Sequence, residues 1–416
     1  MPFASLGLHE PLLSAIAKAG YTQPTPIQEQ AIASVLDGRD VLGCAQTGTG
    51  KTAAFSLPIL QRLLESPSPH KKQTNAPNRP IRCLILSPTR ELAGQIGENI
   101  ETYAADSGLK HVVIYGGVKQ HPQTKALRDG VDIVVATPGR LIDLMEQGHV
   151  KLGSIEAFVL DEADRMLDMG FIEDIWRILS YIPKKRQSLL FSATMPTRIA
   201  SLAAAMLHDP VQIHIAPKMP AAESIEQRLY LVEWGDKTKL LKHLLEHEDV
   251  TRALVFVETK RRADVVVAEL QAAGLGADVI HSDRPQTARQ RALENFKSGK
   301  KPLLVASDIA ARGLDVTDIS HVINYELPSE AEVYVHRIGR TGRAEAKGIS
   351  MSFCCADERT RLDDIEKLLG EPVPLIEDQP YPSFLPRKKS KTAEVEDPRK
   401  STGVRSNRRP SRRRRL

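Results

Sequence analysis

The sequence predicts an α/β protein built from two parallel β-sheets, and two observations support this prediction. Short apolar runs occur along most of the chain, and they alternate with helix-like segments such as 92–104 and 260–273. Continuous apolar strands that alternate with helices are typical of parallel sheets covered on both faces. Such sheets bind ligands at the carboxyl ends of their strands. The predicted strands are 40–45, 81–87, 131–136, 156–160 and 187–191 in the first half, and 252–257, 302–306, 321–325 and 348–353 in the second.

The alternation pauses at residues 216–224, where two prolines and several small residues predict an interdomain linker. We therefore expect a first α/β domain at 31–215, preceded by a short region at 1–30, and a second α/β domain at 225–372. Beyond this point the apolar periodicity fades, and we expect residues 373–416 to form a disordered basic tail.

The composition excludes several classes of protein. Of the 416 residues, 41% are hydrophobic and 26% are charged, which excludes a wholly disordered chain. No run approaches the roughly 18 apolar residues of a membrane helix, and we expect no secretory signal at the N-terminus. Cys44, Cys83, Cys354 and Cys355 form no CxxC pair, so neither zinc nor a disulfide framework is indicated. We expect buried thiols in a reducing compartment, and hence a cytoplasmic protein.

The charge is unevenly distributed. Residues 387–416 hold thirteen Lys or Arg and three Asp or Glu, so this segment carries +10 and the remainder −5 of the overall net charge of +5. An acidic body with a strongly basic tail is typical of a nucleic-acid-binding arm. The alternative is a solvated tail that only aids solubility.

The clearest chemical signal is a glycine-rich loop after the strand predicted at 40–45. Gly48 and Gly50 allow the backbone N–H groups to face a phosphate. Lys51 offers a charge to the β and γ phosphates, and Thr52 offers a hydroxyl to Mg²⁺. Ala45 stands where the strict pattern has glycine, so the match is to a relaxed form. The nucleotide-binding candidates of this loop are Ala45, Gln46, Thr47, Gly48, Thr49, Gly50, Lys51 and Thr52.

An acidic tetrapeptide, 161–164, follows another apolar strand. Because adjacent residues of a strand point to opposite sides, neighbouring carboxylates can do different work. Asp161 can hold Mg²⁺ through its water shell, and Glu162 can orient and polarise the attacking water. Alone, such a tetrapeptide is more often a solvated helix start. Its position downstream of a phosphate loop favours catalytic roles for Asp161 and Glu162, together with Lys51.

A third element, the segment from His336 to Arg343, lies in the second half of the chain. It holds Arg337, Arg340 and Arg343 at intervals of three, with interposed glycines. The planar guanidinium suits the charge spread over a phosphoryl group in transit. A surface patch that binds RNA is the alternative interpretation. If the arginines bind ATP, both domains contact the nucleotide only when they are closed. Hydrolysis would then be coupled to the motion of the domains.

Together, these elements and further motifs in the same order resemble the DEAD-box ATP-dependent RNA helicases of helicase superfamily 2. The resemblance covers about residues 3–370, and the short core and basic tail are similar to the bacterial RhlE-type subgroup. The further motifs are 20–28 (GYTQPTPIQ), 88–92 (PTREL), 116–117 (GG), 137–140 (TPGR), 192–194 (SAT), Gln286 with Arg289, and 308–315 (DIAARGLD).

The resemblance implies two tandem RecA-like domains that bind ATP and RNA across the cleft between them. Gln28 would read the adenine edge, because an amide supplies one donor and one acceptor. Tyr21 would stack near the base, and Phe3 would pack beside it. As an alternative, both are ordinary core aromatics. Gly313 and Asp315 would contact the nucleotide, with Asp315 at the ribose unless it merely caps a turn.

The resemblance also implies a network that couples the ATP site to the RNA site. Ser192 and Thr194 would hydrogen-bond to Asp164 and its neighbours, and His336 would act from the second domain. As isolated residues, serine and threonine more often form turns. The implied ligands of the γ-phosphate are Arg340 and Arg343.

For RNA, the implied contacts mostly offer hydroxyls, glycine amides and arginines, which suit phosphate and ribose rather than bases. Aromatic residues make up only 5% of the chain, so no sequence-reading platform is evident. Ser307 replaces the family's threonine and keeps the hydroxyl, whereas Ser282 replaces a glycine and puts in question the backbone bend before Gln286. The implied RNA contacts are Pro88, Thr89, Arg90, Gly117, Thr137, Gly139, Arg140, Gln286, Arg289, Ser307, Asp308 and Arg312.

The hypothesis that follows is an RNA-dependent ATPase that separates short duplexes or remodels RNA–protein complexes, with ATP and Mg²⁺ as cofactors. A DNA translocase and a non-enzymatic RNA clamp are the rival interpretations. The expected partner is RNA, no membrane is involved, and proteins of ribosome assembly and of RNA decay are both open as further partners.

Overall fold

The computed structural model describes residues 2–45, 48–66, 79–105, 107–215, 225–308, 316, 318–342 and 348–383. The predicted linker at 216–224 and the segment 384–416 therefore lie outside the described residues. The described residues up to Pro382 belong to one compact unit.

The first domain is a seven-stranded sheet in the order β3-β4-β2-β5-β6-β1-β7, and every described strand pair in it is parallel. Its strands are β1 (Val41–Cys44), β2 (Cys83–Leu86), β3 (His111–Ile114), β4 (Ile133–Ala136), β5 (Ala157–Leu160), β6 (Gln187–Ser192) and β7 (Val211–His214). Its helices are α1 (Glu10–Lys18), α2 (Pro26–Leu36), α3 (Lys51–Glu65), α4 (Arg90–Tyr103), α5 (Gln120–Asp129), α6 (Pro138–Glu146), α7 (Ala163–Asp168), α8 (Ile172–Leu179) and α9 (Thr197–Met206).

The second domain is a six-stranded parallel sheet in the order β10-β11-β9-β12-β13-β8. Its strands are β8 (Ile225–Leu231), β9 (Ala253–Val257), β10 (Ala277–Ile280), β11 (Leu303–Ser307), β12 (His321–Asn324) and β13 (Gly348–Cys354). Its helices are α10 (Lys237–His247), α11 (Lys260–Ala272), α12 (Gln286–Lys297), α13 (Ala331–Ile338) and α14 (Arg359–Leu369). The predicted pair of parallel-sheet α/β domains is confirmed.

Alternating side chains of the central strands fill two cores, one on each face of the first sheet. Ile85 and Val159 lie in one core, whereas their chain neighbours Leu84 and Phe158 lie in the other. Because both faces are buried, these strands read as continuous apolar runs. Among the described helices, none combines the length and the apolar character that crossing a membrane requires.

The sequence prediction missed four strands, and these are the four edges of the two sheets: β3, β7, β8 and β10. Edge strands are partly exposed, as the alternating burial along β3 and β7 shows. Without burial on both faces they need no continuous apolar run, so the pattern that revealed the central strands is weak there.

The predicted start of the tail at residue 373 is wrong, because the next residues extend the second domain. Val373 is buried, Leu229 donates its N–H to the Pro374 carbonyl oxygen, and Ile376 donates its N–H to the Leu229 carbonyl oxygen. This segment covers the exposed edge of β8, where free backbone groups require partners.

The burial of the four cysteines differs slightly from the expectation. Cys83, Cys354 and Cys355 are buried free thiols, and burial raises the pKa of Cys83 to about 12. Cys44 is only half-buried, because it is the last residue of β1 and lies at the carboxyl edge of the sheet.

Gly43 provides a test of the packing above the first sheet. A Cβ atom at Gly43 would lie 2.5 Å from Cδ1 of Phe191, its neighbour in register on β6. Gly43→Ala should therefore lower the free energy of unfolding by about 1–3 kcal/mol through overpacking. The matched control is Gly94→Ala in α4, where a Cβ atom meets nothing within 4 Å. Denaturant titration should show Gly94→Ala as neutral or slightly stabilising, and equal effects of the two substitutions would contradict this account.

Candidate functional site

The phosphate loop, the acidic tetrapeptide and the 192–194 motif lie side by side because their strands are neighbours. β6 pairs with β1 on one side and with β5 on the other. The loops that follow these strands therefore lie together at the carboxyl-terminal end of the sheet. In this region Gln46 and Thr47, two of the predicted nucleotide contacts, lie outside the described residues.

The glycines of the phosphate loop occupy backbone conformations that other residues adopt only with strain. Gly48 has φ of 86° and Gly50 has φ of 89°. A Cβ atom on Gly50 would also lie 2.4 Å from the side-chain nitrogen of Gln28. Lys51 is buried and donates from Nζ to the Ala45 carbonyl oxygen at 2.8 Å, so its ammonium closes the loop on itself. The cation is therefore held where the loop can offer it to a phosphate.

Asp161 and Glu162 are both almost fully buried at the end of β5. Burial raises the pKa of Asp161 to about 6, opposed by the Lys51 charge and reinforced by Glu162. Glu162 has φ of 54°, the left-handed region that costs a non-glycine residue about 1–2 kcal/mol. Its Oε2 accepts from Nη1 of Arg165 at 2.6 Å. Sequence reasoning missed Arg165, although its spacing of three residues on a helix indicates a partner for Glu162.

Asp164 is the centre of the hydrogen bonds predicted for the coupling network. Its Oδ2 accepts from the backbone N–H groups of Ala193 and Thr194 at 3.1 and 2.9 Å, and from the Thr194 hydroxyl at 3.1 Å. Its own N–H donates to the Ser192 hydroxyl at 3.1 Å. These bonds tie α7 to the end of β6, while the coupling role itself stays a prediction.

Gln28 binds the phosphate loop directly. Its Oε1 accepts from the Thr25 N–H at 2.9 Å, and its Nε2 donates to the Gly50 carbonyl oxygen at 3.1 Å. The amide keeps one further donor and one further acceptor site for a base, so its adenine-reading role stays a prediction. Beside it, the ring centroids of Phe3 and Tyr21 lie 6.3 Å apart. Phe3 is buried, and Tyr21 remains 37% exposed.

A cavity of about 200 Å³ adjoins Lys51, Glu162 and Asp164 and has walls from both domains. The second domain contributes the start of α13 and His336, so the structure brings His336 to the cavity that Lys51 and Glu162 also line. Arg340 is buried just beyond α13, whereas Arg343, Gly313 and Asp315 lie outside the described residues. The cavity is lined by Lys51, Glu162, Asp164, Arg165, Asp168, Ala193, Thr194 and Pro196 of the first domain and by Glu330, Glu332, Val333 and His336 of the second.

Arg337, the first arginine of that segment, has a structural role. Its guanidinium donates to both carboxylate oxygens of Asp308 at 2.6 and 2.7 Å and to the Glu326 carbonyl oxygen at 2.6 Å. It also lies over the Phe256 ring. Asp308, predicted to contact RNA, therefore has its carboxylate engaged by Arg337. Arg312, which follows it in the same motif, lies outside the described residues.

A second cavity, of about 300 Å³, gathers most of the predicted RNA contacts of the first domain. Thr89 begins α4 as its N-cap and accepts from the Leu92 N–H, and Thr137 is the N-cap of α6. Two residues that belong to none of the motifs, Met169 and Phe171, also line this cavity. They follow the acidic tetrapeptide in the chain. The lining residues are Pro88, Thr89, Arg90, Glu91, Gly116, Thr137, Gly139, Arg140, Met169, Phe171, Ser282 and Arg289.

The remaining predicted RNA contacts are placed as follows. Gly117 has φ of 81°, and a Cβ atom there would lie 2.2 Å from Nη1 of Arg90, so the arginine crosses the glycine backbone. Ser307 is half-buried at the end of β11. Ser282 does not have a positive φ, so serine adopts the backbone at this position, where the resemblance expects glycine, without left-handed strain.

Gln286 and Arg289 engage a carboxylate of the other domain rather than standing free. Gln286 donates from Nε2 to Oε1 of Glu91 at 2.9 Å, and Nη2 of Arg289 lies 2.9 Å from Oε2 of the same residue. Nη1 of Arg90 donates to Oε1 of Gln286 at 3.3 Å. Glu91 is buried and lines the cavity of about 300 Å³, so this bridge joins the domains at the edge of that cavity. The PTREL motif contains Glu91, but nothing local in the sequence indicated its partners.

The buried carboxylate of Asp161 should cost stability in the absence of ligands. Its folded pKa of about 6 exceeds the ordinary aspartate value of 3.8, so ionisation of Asp161 increasingly favours the unfolded state as the pH rises from about 4 to about 6. Asp161→Asn should therefore raise the free energy of unfolding by up to about 3 kcal/mol at pH 7.5 and by about half of that at pH 5. The measurement is denaturant unfolding of nucleotide-free protein in EDTA. Asp129→Asn, at an exposed carboxylate, is the control; a benefit of Asp161→Asn that does not change with pH would contradict the assignment.

Comparison with known proteins agrees with this geometry. The DEAD/DEAH box helicase family model matches residues 25–202, and the helicase conserved C-terminal domain model matches residues 236–345. The chain is 42% identical over 375 residues to an ATP-dependent RNA helicase RhlB of Shewanella amazonensis, covering 90% of this chain and 84% of the relative. It is 46% identical over 371 residues to DEAD-box ATP-dependent RNA helicase 30 of Arabidopsis thaliana, covering 89% and 62%. The RhlE-type placement stays a prediction, since these relatives carry other names.

Solved structures show the same architecture. Saccharomyces cerevisiae Dbp5 bound to RNA and ADP BeF3 superposes with a TM-score of 0.77 at 29% identity, covering 90% of this chain and 95% of that one. A DEAD box protein from Methanococcus jannaschii gives a TM-score of 0.51 at 37% identity, covering 90% and 99%. With both domain models matched in order and relatives above 40% identity along nine tenths of its length, the chain belongs to the DEAD-box family of ATP-dependent RNA helicases.

Proposed function

We propose that this helicase hydrolyses ATP when RNA holds its two domains together, and that closure distorts one RNA strand so that short duplexes separate. The observation that carries the proposal is the cavity that Lys51 and Glu162 share with His336 of the second domain. A nucleotide in this cavity would contact both domains. Binding of the nucleotide would therefore favour the closed arrangement of the two domains, and hydrolysis would favour their separation.

The first domain supplies the phosphate-binding groups. Lys51 would offer its charge to the β and γ phosphates, and the amides of Gly48 and Gly50 would face them. Thr52 and Asp161 fit Mg²⁺, because both supply the oxygen ligands that this ion prefers. Burial raises the pKa of Asp161, and a bound cation would offset the buried negative charge of its carboxylate. The described residues hold no cluster of three His, Cys, Asp or Glu side chains placed as metal ligands. Bound Mg²⁺ would supply positive charge that offsets the negative charge of the phosphates.

Glu162 is the proposed base that orients the attacking water. Its left-handed backbone and its ion pair with Arg165 fix the carboxylate on the wall of the cavity. A carboxylate that is fixed before the reaction does not have to reorganise during it. Such positioning supplies much of the catalysis of phosphoryl transfer. Arg340 and Arg343 are the proposed ligands of the γ-phosphate from the second domain.

The RNA cavity suits a sugar–phosphate backbone. Its walls present the N-termini of α4 and α6 and the guanidinium of Arg140, which are donors for phosphate oxygens. The bridge from Glu91 to Gln286 and Arg289 spans the two domains beside this cavity. RNA that favours the bridged state would tighten ATP binding, and ATP would tighten RNA binding by the same factor. We further propose a cytoplasmic location, RNA as the partner, and proteins of ribosome assembly or RNA decay as additional partners.

Replacing Glu162 tests the catalytic assignment. Glu162→Gln keeps the shape but removes the charge that polarises water. RNA-stimulated ATP hydrolysis should fall by at least about 10²-fold, while ATP-dependent RNA binding persists. Lys51→Ala should instead weaken ATP binding itself. The control is Glu173→Gln, an exposed carboxylate on α8 that should leave turnover unchanged. Near-normal turnover by Glu162→Gln would remove Glu162 from this role.

Replacing Arg340 tests the role of closure. Arg340→Ala should spare ATP affinity without RNA but abolish most RNA-stimulated hydrolysis, because losing an arginine finger raises the activation barrier by about 4–7 kcal/mol, a 10³–10⁵-fold loss of rate. Arg340→Lys should restore little, because a point charge cannot make the forked contact. Normal hydrolysis by Arg340→Ala in the presence of RNA would refute the interdomain model.

The choice of nucleic acid distinguishes the proposal from a DNA translocase. ATPase rates are to be compared with RNA and DNA of the same sequence, since contacts to the 2′-hydroxyl separate the two. Equal stimulation by DNA would favour the translocase. A complete lack of turnover with either nucleic acid would favour a non-enzymatic RNA clamp.

A further inference from the structure

Tyr21, the proposed stacking partner of the nucleobase, is held by a residue that belongs to no motif of the ATP site. Tyr103 is the last residue of α4 and is 3% exposed. Its hydroxyl lies 3.0 Å from the Tyr21 hydroxyl, and the two ring centroids are 6.3 Å apart at an interplanar angle of 63°. The two residues are 82 positions apart in the chain, so only the fold brings them together.

Phe3 contacts the Tyr21 ring as well, with an interplanar angle of 80°. The segment that carries Phe3 is fixed to α3 by the buried side chain of Gln61. Its Oε1 accepts from the His9 N–H at 2.8 Å, and its Nε2 donates to the Gly7 carbonyl oxygen at 3.0 Å. Tyr21 therefore has two anchored aromatic neighbours, and within the described part of the chain its hydroxyl makes one polar contact, the bond to Tyr103.

Tyr103 supplies a neutral hydroxyl for this bond. Burial and the hydrogen bond to Tyr21 both raise the pKa of Tyr103, so the phenol does not ionise at working pH. A tyrosine that is 37% exposed, like Tyr21, would otherwise be able to change its rotamer in solvent. The buried partner removes this freedom before a ligand arrives, and pre-ordering of a binding side chain increases affinity.

We infer that Tyr103 is a positioning residue for the nucleobase: it fixes the ring of Tyr21 in the orientation that stacks on adenine. This inference rests on the proposed ATP site and adds a residue to it. Because Tyr103 acts through the base-stacking ring, its effect is confined to ligands that carry a base. The phosphate loop, which binds the triphosphate through Lys51 and glycine amides, does not depend on it.

The test compares ATP with inorganic triphosphate, a ligand that shares the phosphates but lacks the base. Tyr103→Phe removes one oxygen atom and keeps the ring. In the full-length protein it should raise the Kd for ATP by about threefold to tenfold, the loss of one hydrogen bond, and leave the Kd for triphosphate unchanged. The KM for ATP should rise in parallel, while kcat at saturating ATP and RNA should not change.

Two further variants separate positioning from general damage. Tyr21→Phe removes the other half of the same bond, so the double variant should bind ATP no more weakly than the weaker of the two single variants. Tyr325→Phe is the matched control. It removes a similar hydroxyl pair, Tyr325 with Thr238 at 2.9 Å, from the second domain, and it should leave ATP affinity unchanged.

The outcomes are distinct. An unchanged Kd for ATP in Tyr103→Phe, an equal loss for ATP and triphosphate, or additive effects of the two Tyr→Phe changes would each overturn the inference. Failure of the unmodified protein to bind ATP at all would instead refute the proposed function.

Discussion

The parallel direction of the strands is the constraint on which the rest of the structure depends. Every described strand pair in both sheets is parallel, so the carboxyl ends of all strands in a sheet lie at one edge. The phosphate loop, the acidic tetrapeptide and the 192–194 motif follow β1, β5 and β6, which are adjacent in the sheet although far apart in the chain. A reversed strand would carry its motif to the opposite edge. The chemistry of the site is thus a consequence of strand order.

The proposed ATP site concentrates unfavourable features that the surrounding fold tolerates. Asp161 carries a carboxylate whose charge is opposed by burial, Glu162 has a left-handed backbone, and the glycine loop has almost no free space beside Gln28. Local strain and buried charge are found where a site is organised before its ligand arrives. The two cores on either side of the sheet supply the stability that these features consume.

A second buried carboxylate joins the two domains. Glu91 lies at the start of α4, where it receives Gln286 and Arg289 from α12. Removing one partner from such a buried pair is costly, because it leaves the other charge without compensation. The opposite end of α4 carries Tyr103 against Tyr21. One helix therefore spans from the interdomain bridge to the proposed base site, which places both within one rigid element of the first domain.

The sequence alone determined the fold class and the pair of α/β domains, and it identified the motifs from which the chemistry of the site is proposed. These follow from local signals: continuous apolar runs for strands buried on both faces, glycines where left-handed backbone is needed, and acids or arginines at the ends of strands. The tertiary structure decided which residues meet. The edge strands β3, β7, β8 and β10, and the residues after 372 that cover β8, lack the burial that produces a continuous apolar pattern. The Glu91 bridge and the Tyr21–Tyr103 bond join residues 195 and 82 positions apart. Local periodicity reports whether a residue is buried but not which distant residue it contacts, so only the packing of sheets and helices assigned these partners.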